Sequence, residues 1–311
     1  MHNIDCRELA GELLTGDLQT QLEAYDRKRR NTFLAAGLLL VAGLTAAFIV
    51  RGETGMLIAV CAIVIAIVTA THGNSSWKNF YHDTLIPLLL ARVAPTLKYQ
   101  YHSGMPRNRF EKLQLYSSFD RYKTWGRISG VLGKTRLEIS GVHAEKRYRS
   151  KKQTSYSTVF RGVIFSADCN KNFSSRTLVL PDFAEKCFGK LVGNFLQKMN
   201  FTEGSLVKLE NVEFEKEFSV YGGDQIESRY LLTPDMMERL LKIKAMANNQ
   251  LRLVFQDGNV TVAMENFSWM SPAYCGKVAS IKFLEQTLQG ICRMTGLVEA
   301  LDLNTRIWSK Q

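Results

Sequence analysis

The 311-residue sequence is poor in the patterns that carry enzyme chemistry. Its six cysteines, Cys6, Cys61, Cys169, Cys187, Cys275 and Cys292, contain no Cys-x-x-Cys pair. A domain of this size builds an apolar core and needs no staples, so they read as reduced thiols. The five histidines, His2, His72, His82, His102 and His143, never fall in His-x-x-x-His spacing, which argues against a metal centre. No Gly-x-Ser-x-Gly elbow presents a nucleophilic serine, and Cys187 falls in an expected amphipathic helix. Gly222-Gly223 lies in a strand-rich segment with no Gly-Lys-Ser/Thr behind it, so it reads as a turn and not a phosphate cradle. No cofactor is expected.

Charge is also missing from two long stretches. Asn31 to Val50 is a run of 20 residues without a charged side chain, and Thr54 to Thr71 is a second of 18. At about 1.5 Å per residue both are long enough to cross a bilayer core as helices. The link Arg51-Gly52-Glu53 is too short for anything but an antiparallel pair. Small residues four apart, Ala42/Ala46 and Gly43/Ala47, would let the two helices approach closely. Neither run holds an acidic, basic or histidine side chain before His72, which argues against a transport pathway through the pair.

Arg27, Lys28, Arg29 and Arg30 abut the first run, whereas the link has one Arg beside one Glu. The positive-inside rule then places both termini on the cytoplasmic side of the membrane. A cleaved signal peptide is a poor reading, because the first run is too long and a second follows at once. The expected organisation is an amphipathic segment over 1–30, a transmembrane hairpin over 31–71, a helical stalk over 72–97 and a cytoplasmic α+β domain over 98–311. A subdomain boundary near 205 is left open. Leu9, Leu13, Leu14, Leu18 and Leu22 set the amphipathic spacing, Trp77 and Tyr81 suit the headgroup level, and Pro87 and Pro95 should bend or end the stalk.

The net charge of +11 is unevenly distributed. Residues 92–161 hold 16 Lys/Arg against 4 Asp/Glu, a net of +12, and the flanking regions nearly balance. Such a block points to an anionic neighbour. Its densest part is Lys146, Arg147, Tyr148, Arg149, Lys151 and Lys152, which reads as the tip of a hairpin. Tethering beside the inner leaflet favours anionic lipid headgroups over nucleic acid as its contact.

Strands are expected from Tyr122, with one over Thr135–Arg147 whose apolar phase shifts at Gly141 and so suggests a bulge. Others are expected over Ser155–Asp168, Thr177–Leu180 and part of Glu210–Thr233, with a helix capped by Asp182 between the last two. Thr233-Pro234-Asp235 is a helix start, and Asp257-Gly258 joins two alternating strands. A last helix from about Gly276 carries Val278, Ile281, Leu284, Leu288 and Ile291 in a stripe. Asp224, Glu227 and Arg229 form the most polar constellation, with Glu227 and Arg229 read as strand neighbours on one face.

The segment from Phe214 to Pro234, with Phe218-Ser219-Val220-Tyr221-Gly222-Gly223-Asp224 at its centre, resembles the signature of a bacterial family catalogued as domain of unknown function 3137. Phe160-Arg161-Gly162-Val163-Ile164-Phe165, followed by Asn170-Lys171-Asn172-Phe173, resembles its earlier motif, and the two apolar runs also fit. The resemblance implies no activity. It implies a LemA-type membrane protein as a partner.

Two readings of different kinds follow. The first is a membrane-anchored interaction or scaffold module that binds a protein partner or the anionic leaflet. The alternative is a membrane-bound enzyme of a new type, with a polar cleft around Asp224, Glu227 and Arg229 to which His143 is a further candidate.

Overall fold

The computed structural model describes residues 5–50, 52–150, 153–169, 171, 173–181, 205–247, 251–267, 269–272 and 276–304. The helix expected after Asp182, with Cys187, lies outside the described residues, as do Lys151 and Lys152. The chain divides into two units, one of residues 1–89 with 271–289 and one of residues 90–270 with 290–311.

The first unit is helical. Asp5 caps α1 (Cys6–Leu13) by accepting from the amides of Arg7 and Glu8 at 2.8 and 3.2 Å. The chain then breaks at Gly16 (φ +57°). The amphipathic segment is therefore not one separate helix: Leu18 and Leu22 already belong to α2 (Gly16–Val50), which runs on through the first apolar run. After one residue, α3 (Gly52–Phe80) returns. Each is long and apolar enough to cross a membrane: mean hydropathy reaches 2.5 over an 18-residue stretch of α2 and 2.1 over Gly52–Thr69 of α3.

Small residues form the seam between these helices, as the spacing predicts. A Cβ on Gly43 would lie 2.1 Å from that of Ala62, and one on Gly55 would lie 2.6 Å from the Ala47 carbonyl oxygen. Most of their large apolar side chains face outward, among them Leu38, Phe48, Ile49, Met56 and Leu57. Such a surface is expected in lipid or against another protein, not in water.

Trp77 and Tyr81 are not interfacial anchors. They are 0% and 3% exposed and pack in an aromatic cluster with Tyr25, Phe80 and Phe283. The cation of Arg29 lies 5.8 Å from the Trp77 ring centroid. Asp26 accepts from the amides of Val278 and Ala279 at 3.0 and 2.9 Å, which ties the segment 276–280 to α2. The helix widens to a π-turn over Tyr81–Leu85 just before Pro87, then continues as α4 (Ile86–Val93). Proline has no N–H and its ring crowds the carbonyl one turn back, which is the usual origin of such a widening.

The second unit is built on one mixed-length, wholly antiparallel sheet of nine strands in the order β1-β2-β3-β4-β9-β8-β5-β7-β6. The strands are β1 (Leu97–Gln100), β2 (Arg121–Leu132), β3 (Thr135–Arg149), β4 (Thr154–Asp168), β5 (Thr177–Pro181), β6 (Ser205–Val207), β7 (Phe218–Gly222), β8 (Leu251–Gln256) and β9 (Asn259–Glu265). Strands from either side of residue 205 join in this one sheet. The described helices of this unit are α5 (Arg107–Leu113), α6 (Val212–Glu217), α7 (Gln225–Leu231) and α8 (Pro234–Met246); α9 (Ile281–Thr295) begins in the first unit and ends in the second, where α10 (Leu297–Ala300) follows. Helices joined to an antiparallel sheet make an α+β architecture, as the sequence implies.

A single register row crosses the sheet: Tyr99, Ile128, Ile139, Phe165, Val262, Leu253, Val179, Val220 and Val207. The opposite face is covered by α5 and its flanks. There Phe110, Leu115 and Tyr116 pack with Val142, Ala144, Phe160, Ile164, Leu178, Val254 and Ala263. The middle of the sheet is thus buried on both sides.

That double burial corrects one expectation. The apolar phase change at Gly141 is not a bulge in β3, which pairs regularly with β4 from Leu137 to Ala144. Leu137 and Ile139 face one side of the sheet and Val142 and Ala144 the other. The bulge lies in β2, where Gly126 and Arg127 stand opposite Ser140 alone. Gly126 takes φ +66°, open to glycine at little cost, and its carbonyl accepts from the Trp269 indole at 2.8 Å.

Local signals elsewhere give the expected elements. Thr233 caps α8 by accepting from the Met236 amide at 3.3 Å, with Pro234 in its first turn. Asp257 (φ +53°) and Gly258 (φ +71°) form the two-residue type I′ turn that joins β8 to β9. Among the described residues, Cys6, Cys61, Cys169 and Cys292 are not joined in disulfides.

Candidate functional site

The basic segment stands out from the sheet. β2 stops pairing with β3 at Arg121–Glu145, and β9 stops pairing with β4 at Gly162–Glu265. Beyond these points β3 and β4 continue alone, paired through Lys146–Ser157, Arg147–Tyr156, Tyr148–Ser155 and Arg149–Thr154. Ser150 and Gln153 close the ribbon, the Ser150 amide donating to the Gln153 carbonyl at 2.9 Å. At about 3.4 Å per residue the arm projects roughly 17 Å.

Strand alternation puts Lys146 and Tyr148 on one face of the arm and Arg147 and Arg149 on the other. Its returning strand, Thr154 to Thr158, carries hydroxyls and no charge. The root is braced. The Arg147 amide donates to Asp120 Oδ2 at 2.7 Å, and Lys146 Nζ donates to Ser118 Oγ at 3.2 Å. Arg121 lies over the Tyr156 ring, 3.3 Å from its centroid, so the arm gathers a further cation and ring that the sequence motif did not include. Tyr148 is 53% exposed. An isolated two-stranded ribbon has little intrinsic stability, so a cationic one with no core of its own needs another explanation than packing.

The Asp224, Glu227 and Arg229 constellation differs from its expected form. These residues are not on a strand. Asp224 is the N-cap of α7, accepting from the amides of Ile226 and Glu227 at 2.7 and 3.1 Å. Glu227, in the first turn, accepts from the Ser175 amide at 2.7 Å and from the Ser174 amide and hydroxyl at 3.1 and 3.0 Å. Arg229 does not pair with Glu227 and donates instead to the Lys208 carbonyl and Gln225 Oε1 at 3.4 and 3.3 Å. The group braces α7 against its neighbours.

The Ser175 side chain and amide, followed by the Ser174 donors, hold the Glu227 carboxyl down to about 2, although the Ser175 hydroxyl itself lies outside hydrogen-bond geometry. A depressed carboxyl stabilises the fold above its ordinary value of 4.5, and the gain disappears as pH falls through about 2. Glu227→Gln should therefore cost about 1–2 kcal/mol at neutral pH, the lower end reflecting solvent screening. Melting curves of the two proteins should draw together between about pH 4.5 and pH 2. A gap that stays constant over that range would show that the carboxylate is not the anchor.

His143 is remote from this group. It sits on β3, and four strands separate β3 from β7, so five strand spacings of about 4.8 Å put some 24 Å between them. Burial lowers its pKa, and Nε2 lies 3.4 Å from Thr158 Oγ1 and 3.8 Å from Glu145. Among the described residues no three His, Cys, Asp or Glu side chains are placed to hold a metal ion.

A polar cluster that sequence spacing did not indicate lies where α5 overhangs β2 and β3. Glu138, 7% exposed, is shared by Arg109 at 2.5 Å and Arg127 at 3.3 Å, and Arg109 also donates to Ser166 Oγ at 3.3 Å. The groups come from positions 109, 127, 138 and 166, and only the strand register brings them together.

No curated protein matches the chain. Among solved structures, the mycobacterial trehalose monomycolate transport factor A, TtfA, aligns at 9% identity with a TM-score of 0.35, over 72% of this chain and 93% of that one. Residues 158–303, from the outer part of β4 through α10, match the model of the family described as protein of unknown function (DUF3137). They include the strand around Phe160–Phe165 and the helix-strand-helix segment from Phe214 to Leu231, and this part of the chain belongs to that family.

Proposed function

We propose that the protein is a membrane-anchored docking module. The two apolar helices cross the bacterial inner membrane as a hairpin, with Arg27 to Arg30 keeping both ends in the cytoplasm. The α+β unit then presents its basic arm to the anionic inner leaflet. The observation that carries this reading is the arm itself, a projecting ribbon with Lys146, Arg147 and Arg149 on two faces, uncharged residues on the returning strand and an exposed Tyr148. In sequence, Lys151 and Lys152 follow directly after Ser150. Basic residues near an anionic leaflet contribute about 1 kcal/mol each, and five of them are enough to hold a segment already tethered to the membrane. A LemA-type membrane protein is the protein partner to seek at the same surface.

The test places a photoreactive benzoylphenylalanine at Tyr148 in the full chain and irradiates native membranes. Lipid adducts that fall with added salt, and with Lys146, Arg147, Arg149, Lys151 and Lys152 changed to Gln, are the expected result. Adducts to one discrete protein band would replace the lipid by a protein partner. An absence of both adducts, in a protein that still melts cooperatively, would end the docking reading.

A further inference from the structure

At the end of β3 opposite the arm, the sheet face that carries the core turns polar. Arg109, Arg127, Arg136, Glu138, Ser166 and Asn259 line a groove there of about 470 Å³. A second hollow of about 460 Å³ shares Arg136 and Asn259 and adds Lys134, Asp168 and Asp257. Each volume lies within the range of sites for small molecules.

The charges in the first hollow are not mutually cancelled. Three guanidiniums face one carboxylate, a net of +2. Glu138 is buried and engages two of them, which fixes Arg109 and Arg127 in place before any ligand arrives. A guanidinium has five N–H donors, so each retains some beyond those directed at Glu138. Arg136 is exposed and has no ion-pair partner among the described residues. Planar forks held around one space suit a phosphate group, which takes bidentate hydrogen bonds from arginine and has a charge of about −1.5 to −2 at neutral pH.

The second hollow has a different chemistry. Lys134 and Arg136 there balance Asp168 and Asp257, and carboxylates accept hydrogen bonds that a phosphate cannot donate but a hydroxyl can. We propose that this double groove binds a phosphorylated polyol or sugar, its phosphate monoester on Arg109, Arg127 and Arg136 and its hydroxyls on Asp168, Asp257 and Asn259. Such a group can belong to a soluble sugar phosphate or to the headgroup of a lipid. The site is independent of the arm, because β3 spans Thr135 to Arg149 and separates the two by most of its length.

Calorimetric titration of the full chain in uncharged detergent tests this, using glucose 6-phosphate, glycerol 3-phosphate, inorganic phosphate and glucose as probes. The two esters should bind more tightly than inorganic phosphate, and glucose should give no heat. Arg136→Ala removes an exposed, unpaired side chain and should weaken both esters on the order of tenfold without changing the melting temperature. The arm variant, with Lys146, Arg147 and Arg149 changed to Gln, should bind them like the parent, so failure here and failure of membrane docking are separable. Tighter binding of lysophosphatidic acid than of glycerol 3-phosphate would identify a lipid headgroup, and a preference for glucose 6-phosphate a soluble ligand. Silence with both esters, or an affinity indifferent to Arg136→Ala, would overturn the site. Inorganic phosphate binding as tightly as the esters would overturn the assignment of the second hollow.

Discussion

Phe160→Ala should destabilise the α+β unit by about 3–5 kcal/mol, a large share of the roughly 5–15 kcal/mol that holds an ordinary domain together. The side chain is 1% exposed and stands on β4, next to the centre of the sheet. Its ring lies 4.7 Å from that of Tyr116 and 5.7 Å from that of Phe110, so it joins the sheet to the helix α5 that covers it. Removing the ring takes away its transfer free energy and leaves a hole between elements that cannot both collapse into it. The consequence extends to the arm. Phe160 pairs with Ala144 where β3 and β4 shift register, with Val159 as the extra residue, immediately before the ribbon leaves the sheet. Urea unfolding of the detergent-solubilised chain, followed through the fluorescence of Trp125 and Trp269, would measure the loss. A cost below about 1 kcal/mol would mean that α5 does not cover this face.

Gly162→Val should prevent the sheet from closing in register. A Cβ at Gly162 would lie 2.0 Å from the Met264 carbonyl oxygen and 3.1 Å from the Glu265 Cα, and both belong to the paired backbone of β9. A flexible side chain could move aside, but a strand held by its own ladder on the other side cannot. β9 is also paired along its length with β8, so relief at Gly162 would have to displace two strands. Inserting bulk into packed structure usually costs about 1–3 kcal/mol, and a backbone obstacle between two central strands, even at the end of their ladder, belongs near the top of that range. Gly223→Ala is the matched control. There the nearest neighbour of an added Cβ is the Ser175 Cβ at 3.5 Å, an ordinary contact. The expected result is loss of the cooperative transition in Gly162→Val and a near-parental melt for Gly223→Ala. Equal melting of the two proteins would contradict the pairing of β4 with β9.

Much of the architecture was legible because its signals are local. Two charge-free runs with a three-residue link define a helical pair whatever else the chain does, and the seam of Gly43 and Ala47 follows from their spacing. Thr233-Pro234-Asp235 caps its own helix, and Asp257-Gly258 needs only its own backbone angles to make a turn. The basic hairpin likewise appeared as a run of neighbours in sequence. Its role as an arm did not, because projection depends on where β2 and β9 stop pairing, and those strands lie elsewhere in the chain.

The misread segment has a comparable cause. α6 and α7 contain six and seven residues, fewer than two turns of helix, and over that length helical and strand periodicities are hard to distinguish. Asp224 reads as a cap only once the next residues are known to be helical, and Glu227 finds its donors at Ser174 and Ser175, more than fifty positions away. Trp77 and Tyr81 carried the composition of interfacial anchors, and burial beside Phe283 reassigned them. The sequence by itself determined the class of the fold, the apolar helical pair and the place of the excess charge, since each depends on residues within a few positions of one another. The tertiary structure decided which charges converge. The triad of Arg109, Arg127 and Glu138 and the groove around it exist only because strand register and the overhang of α5 bring distant side chains together around one buried carboxylate.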